Sequence, residues 1–111
     1  MARGHGCARA AASVSRVLCV EPEAAEELRE AIAWYESRRR GLGLDFGRVV
    51  RASFAAIERS PELGPIVHGR VRQLVLRRFP YAVYYVVESD HIAVLAVFHG
   101  RRDPGEWVRR G

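Results

Sequence analysis

The fold of this chain is set by residues 76–102, which read LRRFPYAVYYVVESDHIAVLAVFHGRR. Phe79 to Val87 and Ile92 to Phe98 are rich in aromatic and β-branched residues, which favour strands. The Ser89-Asp90 pair between them predicts a tight turn, so the two strands should form an antiparallel hairpin. Just before this hairpin, Val71 to Leu76 has the pattern of one further strand. The three strands together predict an antiparallel meander.

Two helices and one short strand are predicted before the meander. Val14 to Val20 is mostly apolar and is expected to form the first strand. Apolar residues recur at helical spacing over residues 22–39, which predicts an amphipathic helix. A second helix follows Gly41 and ends at Ser60-Pro61, and the short connection predicts an antiparallel helical hairpin. Residues 61–70 are rich in Pro and Gly and are expected to form a loop.

This order of elements predicts an α+β fold. The N-terminal strand and the meander should complete one antiparallel sheet that packs on one side of the helical hairpin. Residues 1–13 have no apolar period, so we expect a disordered tail or a mis-assigned start of the protein. Residues 14–111 should form a single domain.

All 18 basic residues of the chain are arginine, and the formal net charge is +5. Arginine cannot serve as a general base at neutral pH, but its planar guanidinium matches carboxylate and phosphate groups. Ten arginines lie in residues 37–78 against three acidic residues, whereas residues 21–36 carry six glutamates. The basic middle could bind an acidic partner or nucleic acid, or it could be an ordinary solvated surface.

Several sequence features bear on compartment and cofactors. Cys7 and Cys19 have neither the spacing of a metal site nor the number expected of a disulfide framework, which favours a reducing cytoplasm. No apolar run approaches the ~20 residues that a membrane span needs. We therefore expect a cytoplasmic protein with no metal, no cofactor and no membrane association.

Five stretches of the sequence form a recognisable series: EPEAAEELREAIAWYE (21–36), GLGLDFGRVV (41–50), IERSPELGP (57–65), VRQLVLRRFPYAVYYVV (71–87) and IAVLAVFHGRRDPGEW (92–107). In this order and spacing they resemble the RelE/ParE toxins of type II toxin–antitoxin modules, and the resemblance covers about residues 15–110. The resemblance implies the α+β fold already predicted. It also implies a role in plasmid stabilisation and a complex with a cognate ParD/RelB-like antitoxin, whose acidic C-terminal segment wraps the toxin.

The family resemblance leaves two modes of action open. RelE-type toxins cleave mRNA on the ribosome, and ParE-type toxins bind and block DNA gyrase. The basic strand residues of the RelE pattern fall near Gln73, Val75 and Ala82. Its C-terminal tyrosine falls near Trp107 or Val108, so only Arg102 keeps its residue type. The resemblance therefore favours a ParE-like gyrase inhibitor that works without turnover. A ribosome-dependent mRNA endonuclease and a degenerate toxin that only binds its antitoxin are the alternatives.

The residues expected to contact gyrase or the antitoxin cluster at strand ends and in the C-terminal stretch. They are Arg72, Arg77, Arg78, Tyr81, Arg101, Arg102 and Trp107. If the chain is an endonuclease, the catalytic candidates are His99, Tyr81 and Arg102, because His and Tyr can transfer protons.

Each of these candidates also has a structural interpretation. Arg72 could form a structural salt bridge, and Tyr81 could belong to the core. His99 could simply be hydrogen-bonded at a strand end, and Trp107 could fold back on the core or anchor an interface. The arginines of residues 38–40 are interpreted as a helix C-terminal charge, where cations are favoured.

Overall fold

A computed structural model describes residues 16–99. The predicted order of elements is confirmed, with one strand added. The elements are β1 (Val17–Val20), α1 (Pro22–Arg38), α2 (Leu42–Arg59), β2 (Ile66–His68), β3 (Val71–Val75), β4 (Tyr81–Val87) and β5 (His91–His99). The α+β fold class is therefore confirmed. The predicted tail of residues 1–13 lies outside the described residues, as do Arg101, Arg102 and Trp107.

The strands form one five-stranded sheet in the order β1-β5-β4-β3-β2. Strands β3, β4 and β5 form the predicted antiparallel meander, with Val75 opposite Ala82 and Tyr81 opposite His99. β1 instead pairs in parallel with β5, so the sheet is mixed rather than wholly antiparallel. Local sequence pattern does not set this pairing, because a strand next to a helical crossover can run in either direction.

The segment 61–70 was predicted to be a loop, but it contains strand β2. This strand has three residues, all exposed, and it pairs with β3 across an irregular register. Neither alternation nor burial marks so short an edge strand in the sequence. Short edge strands also limit unwanted pairing with other chains.

Alternation along the meander divides its apolar residues between two faces of the sheet. Val83 and Tyr85 face the helices and join the main core with Phe46, Val50 and other helical residues. A second buried cluster lies on the opposite face. It contains Val71, Ala82, Tyr84, Val86, Ala93, Leu95, Ala96 and Phe98.

The turn between the helices depends on two glycines. Gly41 has φ +88°, a conformation that favours glycine, and a Cβ on Gly43 would lie 2.6 Å from the Ile32 carbonyl oxygen of α1. The Glu36 carboxylate of α1 accepts hydrogen bonds from the backbone N–H groups of Gly41 and Gly43. A carboxylate at this position also interacts favourably with the N-terminal dipole of α2. The end of α1 is thereby fixed against the start of α2.

Three further observations concern the expectations about compartment and cofactors. Cys19 of β1 is disulfide-bonded, which the number and spacing of the cysteines did not predict. Disulfide formation depends on the approach of two cysteines in space, which their spacing does not reveal. Among residues 16–99, no helix is long and apolar enough to cross a membrane, and no group of His, Cys, Asp and Glu side chains is arranged to hold a metal ion.

Candidate functional site

The turn between β3 and β4 exposes two arginines above a buried phenylalanine. The Leu76 N–H donates to the Tyr81 carbonyl at 2.9 Å, which closes the turn. Phe79 is buried, whereas Arg77 and Arg78 are exposed. Arg78 has φ 70°, an unusual backbone conformation for a residue with a side chain. Strained residues of this kind occur often at functional sites.

Aromatic rings beneath this turn hold it in place. The Phe79 ring centroid lies 5.0 Å from that of Tyr35 and 5.1 Å from that of Phe46. Tyr81 is half-buried and packs edge-on against Phe46 at 5.1 Å. Such edge-to-face pairs are favourable beyond the area that they bury. The cluster joins α1, α2 and β4, so the exposed turn stands on a rigid base.

The end of α1 brings three more arginines to the same end of the molecule. Tyr35, which contacts Phe79, lies only one helical turn before this group, and the Arg38 guanidinium lies 5.2 Å from the ring centroid of Trp34. We call the resulting surface the basic end; it comprises Arg38, Arg39, Arg40, Arg77 and Arg78. All five are exposed. None of them forms an ion pair within residues 16–99.

Arg72 lies away from the basic end and has structural contacts. Its guanidinium donates hydrogen bonds to the Gly64 carbonyl at 2.7 Å and to the Glu62 carbonyl at 3.3 Å. The buried Tyr85 hydroxyl acts on the same segment, because it accepts from the Gly64 N–H and donates to the Pro61 carbonyl. Arg72 therefore holds the segment before β2 against the sheet, through backbone carbonyls rather than through a salt bridge.

Tyr81 and His99 lie side by side at the mouth of a groove between α1 and the meander. Their rings are 5.5 Å apart, centroid to centroid. The groove has a volume of about 600 Å³. It is lined by Glu27, Glu30, Ala31, Trp34 and Tyr35 of α1, by Pro80 and Tyr81, and by Val97 and His99 of β5. We call it the acidic groove, because its charged walls are the glutamates of α1.

The way in which β5 pairs with its neighbouring strands explains the position of Glu27 in the groove. Tyr84 pairs with Ala96 and Tyr85 with Val94, so Leu95 is an extra residue in β5 and forms a bulge. β1 pairs with β5 only as far as Val94. The Glu27 carboxylate accepts a hydrogen bond from the Val97 N–H at 3.0 Å, beyond the end of β1.

The groove wall also contains the buried Tyr35. Burial raises the pKa of its hydroxyl group, with a smaller contribution from Tyr81.

Comparison with known proteins gives the family. The model of the ParE toxin of the type II toxin–antitoxin system parDE matches residues 19–104. The chain belongs to the ParE toxin family. No curated protein matches it. A solved structure described as a chromosomal ParDE TA system from P. aeruginosa has a TM-score of 0.68 and 19% identity, covering 76% of this chain and 95% of that chain. At this identity the structural likeness shows the fold.

The family match confirms the resemblance seen in the sequence and makes the chain a ParE-like toxin of a type II module. Such a toxin implies an antitoxin partner. Of the predicted site residues, the structure places Arg77, Arg78 and Tyr81 at or beneath the basic end. It places His99 beside Tyr81 in the acidic groove and Arg72 in a structural role. Whether these residues contact a target stays a prediction.

Sequence reasoning missed the contribution of α1 to both surfaces of this ParE toxin. In the sequence, the arginines of residues 38–40 were interpreted only as a favourable helix end, and the glutamates of residues 21–36 only as an acidic stretch. Trp34 gave a signal that could have been used: it is a large apolar residue outside the buried stripe, and it is 53% exposed. The groove itself could not be found from local pattern, because Glu27 and Val97 are 70 residues apart.

Proposed function

We propose that this ParE toxin inhibits DNA gyrase by binding it, without turnover, and acts in the bacterial cytoplasm as the toxin of a plasmid-stabilisation module. The observation that carries the proposal is the basic end. Five guanidinium groups without ion-pair partners in residues 16–99 are presented on a frame that two glycines and an aromatic cluster hold rigid. Stoichiometric inhibition needs such a surface and no catalytic group.

The chemistry of arginine suits a protein target. Arg–carboxylate pairs are frequently bidentate, which fixes the geometry of a complex as well as adding affinity. The guanidinium is also weakly hydrated, so it can be desolvated in an interface more readily than an ammonium. An acidic patch on gyrase would therefore be held in one orientation by the two turns of the basic end.

The cognate antitoxin is proposed to be ParD/RelB-like, with an acidic segment, and to form a hetero-oligomer with this chain. Its carboxylates would pair with the same five arginines, and an apolar anchor would cover Leu44, which is 53% exposed on the helical hairpin. Because both partners would use the basic end, binding of the antitoxin would exclude gyrase. This competition gives a physical reason for neutralisation.

A second candidate function is a ribosome-dependent mRNA endonuclease, and one observation favours it. Tyr81 and His99, two residues able to transfer protons, lie next to each other. Their surroundings argue against it. The groove that contains them carries Glu27 and Glu30, and carboxylates would repel the phosphates of RNA. Gyrase inhibition is therefore the function that the geometry supports better.

The test is a DNA supercoiling assay with the purified toxin and gyrase from the source organism, followed by addition of the antitoxin. We expect loss of supercoiling and accumulation of cleaved DNA, both reversed by the antitoxin. If gyrase is unaffected while induced toxin stops growth, the gyrase proposal is wrong. Growth arrest that then disappears in Tyr81→Phe or His99→Phe would support the endonuclease. If induced toxin has no effect on growth, the chain is a degenerate toxin.

A further inference from the structure

The acidic groove differs in chemistry from the basic end and calls for a different occupant. Glu30 is exposed and makes no ion pair within residues 16–99. Trp34, on the same wall, presents an aromatic ring that is 53% exposed. A site with carboxylates beside an aromatic surface suits a segment that carries arginines and an aromatic side chain, because guanidinium groups both pair with carboxylates and stack on rings. An acidic antitoxin segment would be repelled there.

The chain itself contains such a segment, and it begins at the groove. His99, the last described residue, is part of the groove wall. The residues that follow, GRRDPGEWVRRG, carry four arginines against Asp103 and Glu106, and they include Trp107. Charge and aromatic content therefore complement the groove.

The segment is also long enough to fill the groove. Trp107 is the eighth residue after His99, which allows a span of up to about 28 Å between them. Along α1, the distance from Glu27 to Trp34 is only about 10 Å at the helical rise per residue. The segment can thus pass along the whole wall of α1 and still place Trp107 near Trp34.

We propose that the acidic groove binds residues 100–111 of the same chain, with arginines paired to Glu27 and Glu30 and Trp107 packed beside Trp34. Covalent attachment at His99 raises the effective concentration of this segment at the groove, so individually weak pairs suffice. The groove is then an intramolecular docking site that fixes the C-terminal segment. The proposal is independent of whether gyrase is the target.

The test is hydrogen–deuterium exchange of the full chain, read at residues 100–111. We expect the amides near Trp107 to exchange about tenfold more slowly than in an unstructured chain of the same sequence, as for a segment docked about nine-tenths of the time. Glu30→Gln and Trp34→Ala should each reduce this protection severalfold. Glu62→Gln, which removes an exposed carboxylate far from the groove, is the matched control and should leave it unchanged.

Three results would overturn the proposal. The first is exchange of residues 100–111 at the unstructured rate in the unmodified chain. The second is protection that stays the same in Glu30→Gln and in Trp34→Ala, because the segment would then be held elsewhere. The third is protection that rises with protein concentration, which would mean that the groove takes the segment of a second copy. Loss of protection above about 0.5 M salt would support the charge pairing.

Discussion

Arg70 and Arg72, after strand β2, have polar partners within the protein, whereas Arg77 and Arg78, a few residues later, are exposed and make no ion pair within residues 16–99. Arg72 donates to two backbone carbonyls, and Arg70 lies 3.3 Å from the Glu88 carboxylate. The residue type is the same in both regions, but its hydrogen-bonding capacity is used in one and left available in the other. A charged residue therefore does not by itself indicate a binding surface in this toxin. We expect a binding surface where arginines are exposed, make no ion pair within residues 16–99 and stand on a well-packed turn.

The largest effect that we expect is a loss of stability in the segment that Arg72 holds against the sheet. A Cβ added at Gly64 would lie 2.5 Å from the Gln73 carbonyl oxygen, so Gly64→Ala must displace backbone. We expect a loss of about 3 kcal/mol in the free energy of unfolding, measured by urea denaturation. Gly47→Ala is the control: a Cβ at this position in α2 would make only ordinary van der Waals contacts, with Ile32 of α1 at 3.8 Å and with Arg51 at 3.9 Å, and the substitution should add about 0.5–1 kcal/mol to the free energy of unfolding. Equal effects of the two substitutions would contradict the account.

A smaller loss of stability is expected from Arg72→Met, which replaces the aliphatic part of the side chain but removes its hydrogen-bond donors. The carbonyl of Gly64 would lose its 2.7 Å hydrogen bond, and a loss of about 2 kcal/mol follows from hydrogen bonds of this kind. Thermal and urea denaturation would measure it. The inhibitory activity of the remaining folded protein should not change. If it falls while stability does not, Arg72 belongs to the binding surface.

For Arg78→Gly, at the basic end, we expect weaker inhibition with little change in stability. Glycine relieves the positive φ of this position, while the unfolded chain gains freedom, so stability should stay within about 1 kcal/mol. Loss of one guanidinium–carboxylate pair should weaken inhibition about tenfold. Inhibition titrations and urea denaturation on the same preparation would separate the two effects. Inhibition at the original strength would show that Arg78 does not contact the target.

The smallest effect concerns the aromatic cluster beneath the basic end. Because burial raises the pKa of Tyr35, the folded state favours the neutral phenol. The contribution of the buried Tyr35 hydroxyl to stability is complete below the ordinary tyrosine pKa of about 10. It is lost as the pH rises through the higher pKa that Tyr35 has in the folded protein. The free energy of unfolding should therefore fall more steeply above pH 10 in the original chain than in Tyr35→Phe. Parallel curves would mean that Tyr35 ionises as freely in the folded protein as in the unfolded chain.

Much of the fold was predictable because its signals are local. The glycines of the helical turn, the helical spacing of apolar residues and the dense strands of the meander each specify their own segment. The parallel pairing of β1 and the edge strand β2 were not predictable, because both depend on contacts between distant segments. The same holds for the site. Arg77 and Arg78 stand out in the sequence, but only the folded chain brings Arg38–Arg40 to the same end of the molecule, or Glu30 and His99 into one groove.

The central claim, that the basic end binds the target, is tested most directly by removing the same number of charges from two regions. The double variant Arg77→Gln/Arg78→Gln should inhibit gyrase about a hundredfold more weakly than the original toxin, with unchanged stability. Arg59→Gln/Arg70→Gln removes two exposed arginines from elsewhere on the surface and should inhibit at nearly the original strength. Equal weakening by both pairs would show that net charge, and not the basic end, governs inhibition, and would contradict the account.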